Sequence, residues 1–441
     1  MNNTKTSSNS TNSNTRATFG ASGRSASDSV FPRPNAIIYN IIAFLMRIYL
    51  RLTLHPTYNT DELRRIDGPA VILCTHTSNL DFLLVAVGLL PLRPTYIMSN
   101  HFFAHPKIGK LLAPLHAIPK KMFCADVNAI RQIMKARRAG NAIIMFPEGR
   151  LSCCGHTVQI ADGTAELVKK LGVDVYSVTL NGVYKAMPKW GKAGLRRGPV
   201  SIDGSKLLDA EELKSLSVAE IEAAIAGAIK HDDEQSFIGA AYKCKAPALG
   251  LEGILYKCPC CGEEFTMATN SHTLSCTGCG AAWTLDEKYI LNRSSCNNSC
   301  YAAHEKSSHP DHSASGADGT YTFHSINAWF DWEQSLIDLD AGLETACTLA
   351  TPDEAGVTDR SAGHGHITIN REEIRFVGEC HGKPLDFTEK TSLVKAFPAT
   401  VGDHFDIYSD RVMYNIIPQP NPAEAIKWVQ YLDKLSAESR F

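Results

Sequence analysis

The chain has 441 residues, with 44 Lys and Arg against 46 Asp and Glu and a hydrophobic content of 44%. That length allows two to four domains with a real core. The formal charge of −2 excludes a uniformly basic nucleic-acid binder, but it averages a split: residues 1–201 hold 25 basic and 10 acidic side chains, residues 202–441 hold 19 and 36. A basic first half suits an anionic surface, such as phospholipid headgroups, phosphorylated substrates or nucleic acid.

Residues 1–35 are rich in Ser, Thr and Asn and read as a disordered tail. Ala36 to Leu52 is apolar but carries Asn40, Arg47 and Arg51 on one stripe of a helix. Two internal arginines make a spanning segment costly, so this segment is predicted to lie in the headgroup plane as an amphipathic anchor. No small-residue cleavage site follows it. The expected location is therefore the cytoplasmic face of a membrane, monotopic or peripheral. In that reducing setting the 14 cysteines read as ligands rather than disulfides. Residues 36–245 make the first domain. AVILC (70–74), TYIM (95–98), AIIMF (142–146) and VYSVTL (175–180) read as buried strands, and 104–115, 126–138, 162–171 and Val218–Lys230 as helices. Together they predict an α/β domain on a largely parallel sheet.

Residues 256–285 form a compact Cys/Gly module, and 294–319 a disordered Ser/His/Asn/Gly-rich insertion. Residues 320–441 read as a small strand-rich, PH-like domain. A helix is expected near Ile326–Leu339, hairpins at 366–377 and 404–417, and a last helix capped by Asn421 and Pro422.

Two strand ends carry chemistry. AVILC runs into HTSNLDF, placing His76 at the strand end and Asp81 five residues on; a carboxylate that fixes the tautomer of a His makes it a general base. AIIMF runs into PEGRLS, so Glu148, Gly149 and Arg150 leave the same end of a parallel sheet, where ligands of open α/β sheets bind. Gly149 lets the backbone approach a ligand, and Arg150 offers a planar fork for phosphate. Between them Lys120 ends the run AIPK, within a segment 105–140 that has eight basic side chains and one acidic. A serine hydrolase would need a G-x-S-x-G elbow, which the sequence lacks. Cys153 and Cys154 are the alternative thiol nucleophiles, with only Arg150 nearby to lower a pKa.

His76-Thr-Ser-Asn-Leu-Asp81, Ala117-Ile-Pro-Lys120 and Phe146-Pro-Glu-Gly-Arg150 resemble, in order and spacing, the motifs of the PlsC-type glycerophospholipid acyltransferases. The resemblance covers residues 36–245, including an N-terminal membrane anchor. It implies acyl transfer from acyl-CoA or acyl-carrier protein to the hydroxyl of a lysophospholipid such as 1-acylglycerol 3-phosphate, without a catalytic cofactor. His76 would be the base, Asp81 its orienter, and Lys120, Glu148, Gly149 and Arg150 the acceptor-phosphate site. Lys120 stands where Asp-Arg is more usual, so other acceptors, including glycerol 3-phosphate, stay open. Two further alternatives are a lipid transacylase and a non-catalytic lipid-binding scaffold.

Cys258-Pro-Cys-Cys261-Gly and Cys276-Thr-Gly-Cys279-Gly are two C-x-x-C-G knuckles. Four thiolates, Cys258, Cys261, Cys276 and Cys279, suit one structural Zn in a closed zinc ribbon. Cys296, Cys300 and His304 read as incidental. The acidic half lacks a basic-aromatic pattern, so no nucleic-acid partner is expected. Anionic membrane phospholipids are the expected surface. The overall expectation is an α/β acyltransferase domain with an N-terminal amphipathic membrane helix, then a zinc ribbon and the strand-rich domain, whose protein partner the sequence does not name.

Overall fold

A run of apolar residues with no alternation asks for a strand covered on both faces, and Ala70–Cys74, buried at every position, is the centre of the first sheet. The computed structural model describes residues 31–104, 108–121, 126–295, 323–352, 358–394, 396–410 and 412–438. The first sheet has seven strands: β1 Thr57–Asn59, β2 Ala70–Cys74, β3 Thr95–Ser99, β4 Ile118–Lys120, β5 Ala142–Met145, β6 Asp174–Asn181 and β7 Ser201–Leu208. Their spatial order is β1-β7-β6-β2-β5-β3-β4. β2 runs parallel to both β5 and β6, so the ends of β2 and β5 open on the same side. β7 runs antiparallel to β6, and β1, parallel to β7, shares its reversed direction.

Alternate residues of these strands feed two cores. Val71, Leu73, Ile143, Met145 and Val175 face the helices Val127–Arg138, Thr164–Leu171 and Val218–Ile229. Ile72, Cys74, Ile144, Tyr176 and Val178 face the other side, with Leu50 of the first helix and Leu84 and Val85 of helix Asp81–Gly88. Asp126 caps one helix through the Ala129 N–H, and Ser217 with Glu220 forms a capping box on another. The helix expected over 104–115 is instead two short helices, Asn100–Ala104 and Ile108–Leu112, and a 3₁₀ turn ended by His116 at φ 48°. Pro114 within the segment removes a backbone donor and limits a continuous helix.

Helix Ala36–Thr53 buries only Tyr39, Ala43 and Leu50. It leaves Ile37, Ile38, Ile41, Phe44, Leu45, Ile48, Tyr49 and Leu52 exposed. By length and composition it is apolar enough to cross a membrane.

The cysteine module folds into a four-stranded antiparallel sheet: Met267–Thr269, Thr273–Cys276, Ala282–Leu285 and Leu291–Ser295. Beyond it seven antiparallel strands between Leu343 and Gln419 form a third sheet. Three of them, Leu343–Pro352, Lys383–Lys390 and Ala399–Thr400, lie outside the expected hairpins. Helix Ala425–Glu438 closes that sheet, stacking Trp428 on Phe405 with ring centroids 5.1 Å apart. The small cysteine sheet ties the other two together. On one side, buried Arg196 of the first domain bonds the Tyr289 hydroxyl and donates to the Pro247 carbonyl at 2.8 Å. On the other, the Lys257 N–H donates to Glu333 at 2.7 Å and Trp329 packs edge-on against Trp283. The tail 1–30, most of the segment 294–319, and Cys296, Cys300 and His304 lie outside the described residues.

Candidate active site

The turn after β2 is built around one buried carboxylate. Asp81 Oδ2 accepts the N–H groups of Thr77 at 2.8 Å and Ser78 at 2.9 Å, and lies 3.0 Å from His76 Nδ1. Asp81 is wholly buried, while the His76 side chain is 24% exposed, so the imidazole is held from the protein side and reachable from the other. With Nδ1–H donated to Asp81, Nε2 carries the lone pair. Burial pushes the Asp81 carboxyl above its ordinary range, against the opposing pull of His76 and of the Ser78 and Thr77 amides. The Phe146 ring lies 4.4 Å from the imidazole, centroid to centroid. It limits the ring's motion from the β5 side.

Glu148 connects the two strand ends. Its Oε1 accepts the His76 N–H at 2.8 Å and its Oε2 the Val158 N–H at 2.9 Å. The Ser152 N–H in turn donates to the His76 carbonyl at 3.0 Å. Gly149 turns the chain at φ 68°, a left-handed conformation that favours glycine. Both carboxylate oxygens of Glu148 are thus used on backbone, which places it as a positioning residue for His76. Desolvation pushes its pKa up to about 8, outweighing the two amides, with Asp81 adding to the rise and Arg150 opposing it. A carboxyl whose pKa rises on folding stabilises the native state fully below its unfolded value, and that stability is lost as pH climbs through the folded value. The melting temperature of the wild type should therefore fall relative to Glu148→Gln between pH 5 and 9. A pH-independent difference between the two would contradict this placement.

Arg150 does not project into open space. Its Nη2 lies 2.6 and 2.5 Å from the two carboxylate oxygens of Asp433, on the C-terminal helix, and its side chain is nearly buried. Lys120 ends β4, three strand spacings or about 14 Å from β2, beyond the reach of one side chain to His76. Its Nζ donates to the Lys121 carbonyl at 3.4 Å. The structure therefore brings His76, Asp81, Glu148, Gly149 and Arg150 together, and leaves Lys120 at the sheet's edge. Asp433 was missed; 283 residues separate it from Arg150, and no local pattern marks it. Cys153 and Cys154 are buried, and burial pushes the Cys154 thiol up, away from nucleophilic thiolate character.

The four knuckle cysteines converge. Their sulfurs all lie within 4.8 Å of one another, and the Cys258–Cys279 and Cys261–Cys276 pairs are each 3.7 Å apart. Sulfurs 2.3 Å from a central ion at tetrahedral angles would be about 3.8 Å apart, so the set fits Zn. The Cys260 and Cys279 N–H groups point at the Cys258 and Cys276 sulfurs from 3.4 and 3.5 Å, as charged thiolates require.

A partly exposed His held by a buried Asp at the end of a parallel strand, and joined through a Glu to the next strand end, can serve transferase or hydrolase chemistry. Comparison with known proteins narrows this. Residues 55–181 match the model of the Acyltransferase family. The chloroplastic 1-acyl-sn-glycerol-3-phosphate acyltransferase of Brassica napus is 28% identical over 168 residues, 36% of this chain and 48% of that one. The Arabidopsis thaliana chloroplastic enzyme is 27% identical over 167 residues, covering 36% and 46%. The 1-acyl-sn-glycerol-3-phosphate acyltransferase of Bacillus subtilis is 30% identical over 92 residues, covering 21% and 46%. The chain spans about half the length of the curated relatives it matches. Residues 55–181 are thus similar to acyltransferase domains, and the cysteine cluster and third sheet lie beyond the matched segment.

Proposed function

We propose that this protein transfers an acyl group from acyl-CoA or acyl-carrier protein to the free hydroxyl of a lysophospholipid, the class to which 1-acylglycerol 3-phosphate belongs. The observation that carries the proposal is the His76–Asp81 pair, with Nδ1 fixed at 3.0 Å and the ring partly exposed. His76 Nε2 takes the proton of the acceptor hydroxyl as its oxygen attacks the thioester carbonyl. The tetrahedral intermediate then collapses, the C–S bond breaks, and the imidazolium returns the proton to the departing thiolate. Asp81 holds the tautomer and stabilises the imidazolium between those steps. Glu148 fixes the backbone of His76, and Arg150 is the cationic member of the phosphate set beside this turn.

The exposed apolar face of Ala36–Thr53 is the membrane contact, on a basic half suited to anionic phospholipids at the cytoplasmic face. Deleting residues 36–52 should release the protein from sedimenting anionic vesicles; continued co-sedimentation would refute the anchor. One structural Zn held by Cys258, Cys261, Cys276 and Cys279 stabilises the module between the two larger sheets. The activity is tested by crossing acyl-CoA and acyl-carrier protein donors with glycerol 3-phosphate and several lysophospholipids. A diacyl product formed only with a thioester donor is expected; product without one would indicate transacylation instead.

A further inference from the structure

Residues 150–159, which begin two positions past Glu148, form one wall of a cavity of about 350 Å³. Phe330, Gln334, Val429, Asp433 and Ala437, from the two C-terminal helices, form the other. Arg150 and Asp433 meet on its lining. The Arg150 side chain is 6% exposed and that of Asp433 24%, so the carboxylate is the more open of the two. A second pair has the same polarity: His156, also on the lining, has Nε2 3.3 Å from Asp331 Oδ1. Both cations come from the basic half and both carboxylates from the acidic half.

A buried ion pair is a weak way to hold two modules together, because the desolvation of both charges offsets most of their attraction. Its chemistry is informative in another respect. An arginine fork and a carboxylate side by side are the complement of a phosphate and an ammonium side by side. A zwitterionic headgroup can enter and exchange the internal pair for two external ones, leaving no buried charge unpaired. A phosphomonoester can satisfy Arg150 only by stranding Asp433 beside a second anion.

We propose that the cavity between residues 150–159 and the C-terminal helix is the headgroup site, and that Asp433 makes the enzyme select a zwitterionic, aminoalcohol-bearing lysophospholipid over an anionic phosphomonoester. This rests on the proposed acyl transfer and names its acceptor class. Arg150 on the lining lies in the chain between Glu148 and Ser152, each of which bonds the His76 backbone. Asp433 is a specificity residue supplied from beyond the segment 55–181 that matches the family model.

The test uses the full-length, zinc-loaded protein in mixed micelles with 1-acyl-glycerophosphoethanolamine or 1-acylglycerol 3-phosphate as acceptor. The wild type should show the higher kcat/KM on the ethanolamine lipid. Asp433→Asn should lower that value about 10-fold or more, mainly through KM, and hold or raise the value on the phosphomonoester. Asp433→Glu, which keeps the charge, should keep the preference, and a melting curve for each variant separates misfolding from altered selection. An unchanged ratio in Asp433→Asn, an equal loss on both lipids, or a wild type that prefers the phosphomonoester overturns the inference and leaves acyl transfer standing. Absence of turnover with either lipid overturns the acyl-transfer reading, and the acceptor assignment falls with it.

Discussion

His76→Ala should lower acyl transfer by about 10³-fold or more while leaving the fold, the metal content and vesicle binding intact. A positioned base contributes roughly 10² to 10⁴ in rate. The loss should appear in kcat, because the imidazole acts on the hydroxyl only as the bond forms. Asp81→Asn should cost a comparable factor for a different reason. Asparagine with its oxygen at the Oδ2 position could still accept the Thr77 and Ser78 N–H groups and the Nδ1 proton, but it removes the negative charge that stabilises the imidazolium. Folding should survive that change better than Asp81→Ala, which strips two buried amides of their acceptor. Circular dichroism with a donor-saturated rate measurement separates these outcomes. An Asp81→Asn enzyme of wild-type rate would remove the carboxylate from the mechanism.

Removing the metal should produce the largest stability effect. The four sulfurs stand at zinc spacing, and the module they hold makes contacts on both sides: Arg196 with Tyr289 and Pro247, and Lys257 and Trp283 with Glu333 and Trp329. Metal binding to such a set is folding free energy, so a strong chelator or Cys276→Ser with Cys279→Ser should lower the melting temperature by on the order of 10 °C or more. Elemental analysis should give about one zinc per chain in the wild type and none in the double variant. A metal-free protein that melts at the wild-type temperature would contradict the structural role.

What could be read from the sequence was local. Ala70–Cys74 and Ala142–Met145 are continuous apolar runs that only a sheet covered on both faces explains, and the residues that follow them are the strand ends that meet. The knuckles were legible because two spacings of the same form repeat. The face Ala425, Trp428, Val429, Leu432 and Leu435 was legible because helical periodicity is a short-range signal, and all five are buried. β7 was not, because Ser201–Leu208 carries a glycine and mixed polar residues and is fixed by its ladder with β6 rather than by its own pattern. The roles of Glu148 and Arg150 were half legible. Their position at the site follows from the turn, but the partners that consume them, the Val158 N–H and Asp433, are set by tertiary packing. The charge split along the chain acquires a second meaning from this: besides suiting the basic half to an anionic surface, it lets Asp433 and Asp331 of the acidic half meet Arg150 and His156 of the basic half, with Arg150, His156 and Asp433 on the lining of one cavity.

The most direct test is to follow free thiol release from the acyl donor and lipid product together, in one reaction, for the wild type and His76→Ala. Acyl transfer from a thioester with His76 as base predicts one thiol released per diacyl lipid formed by the wild type, and neither signal above background from His76→Ala. Diacyl lipid formed without thiol release, or equal product from the two proteins, would contradict it.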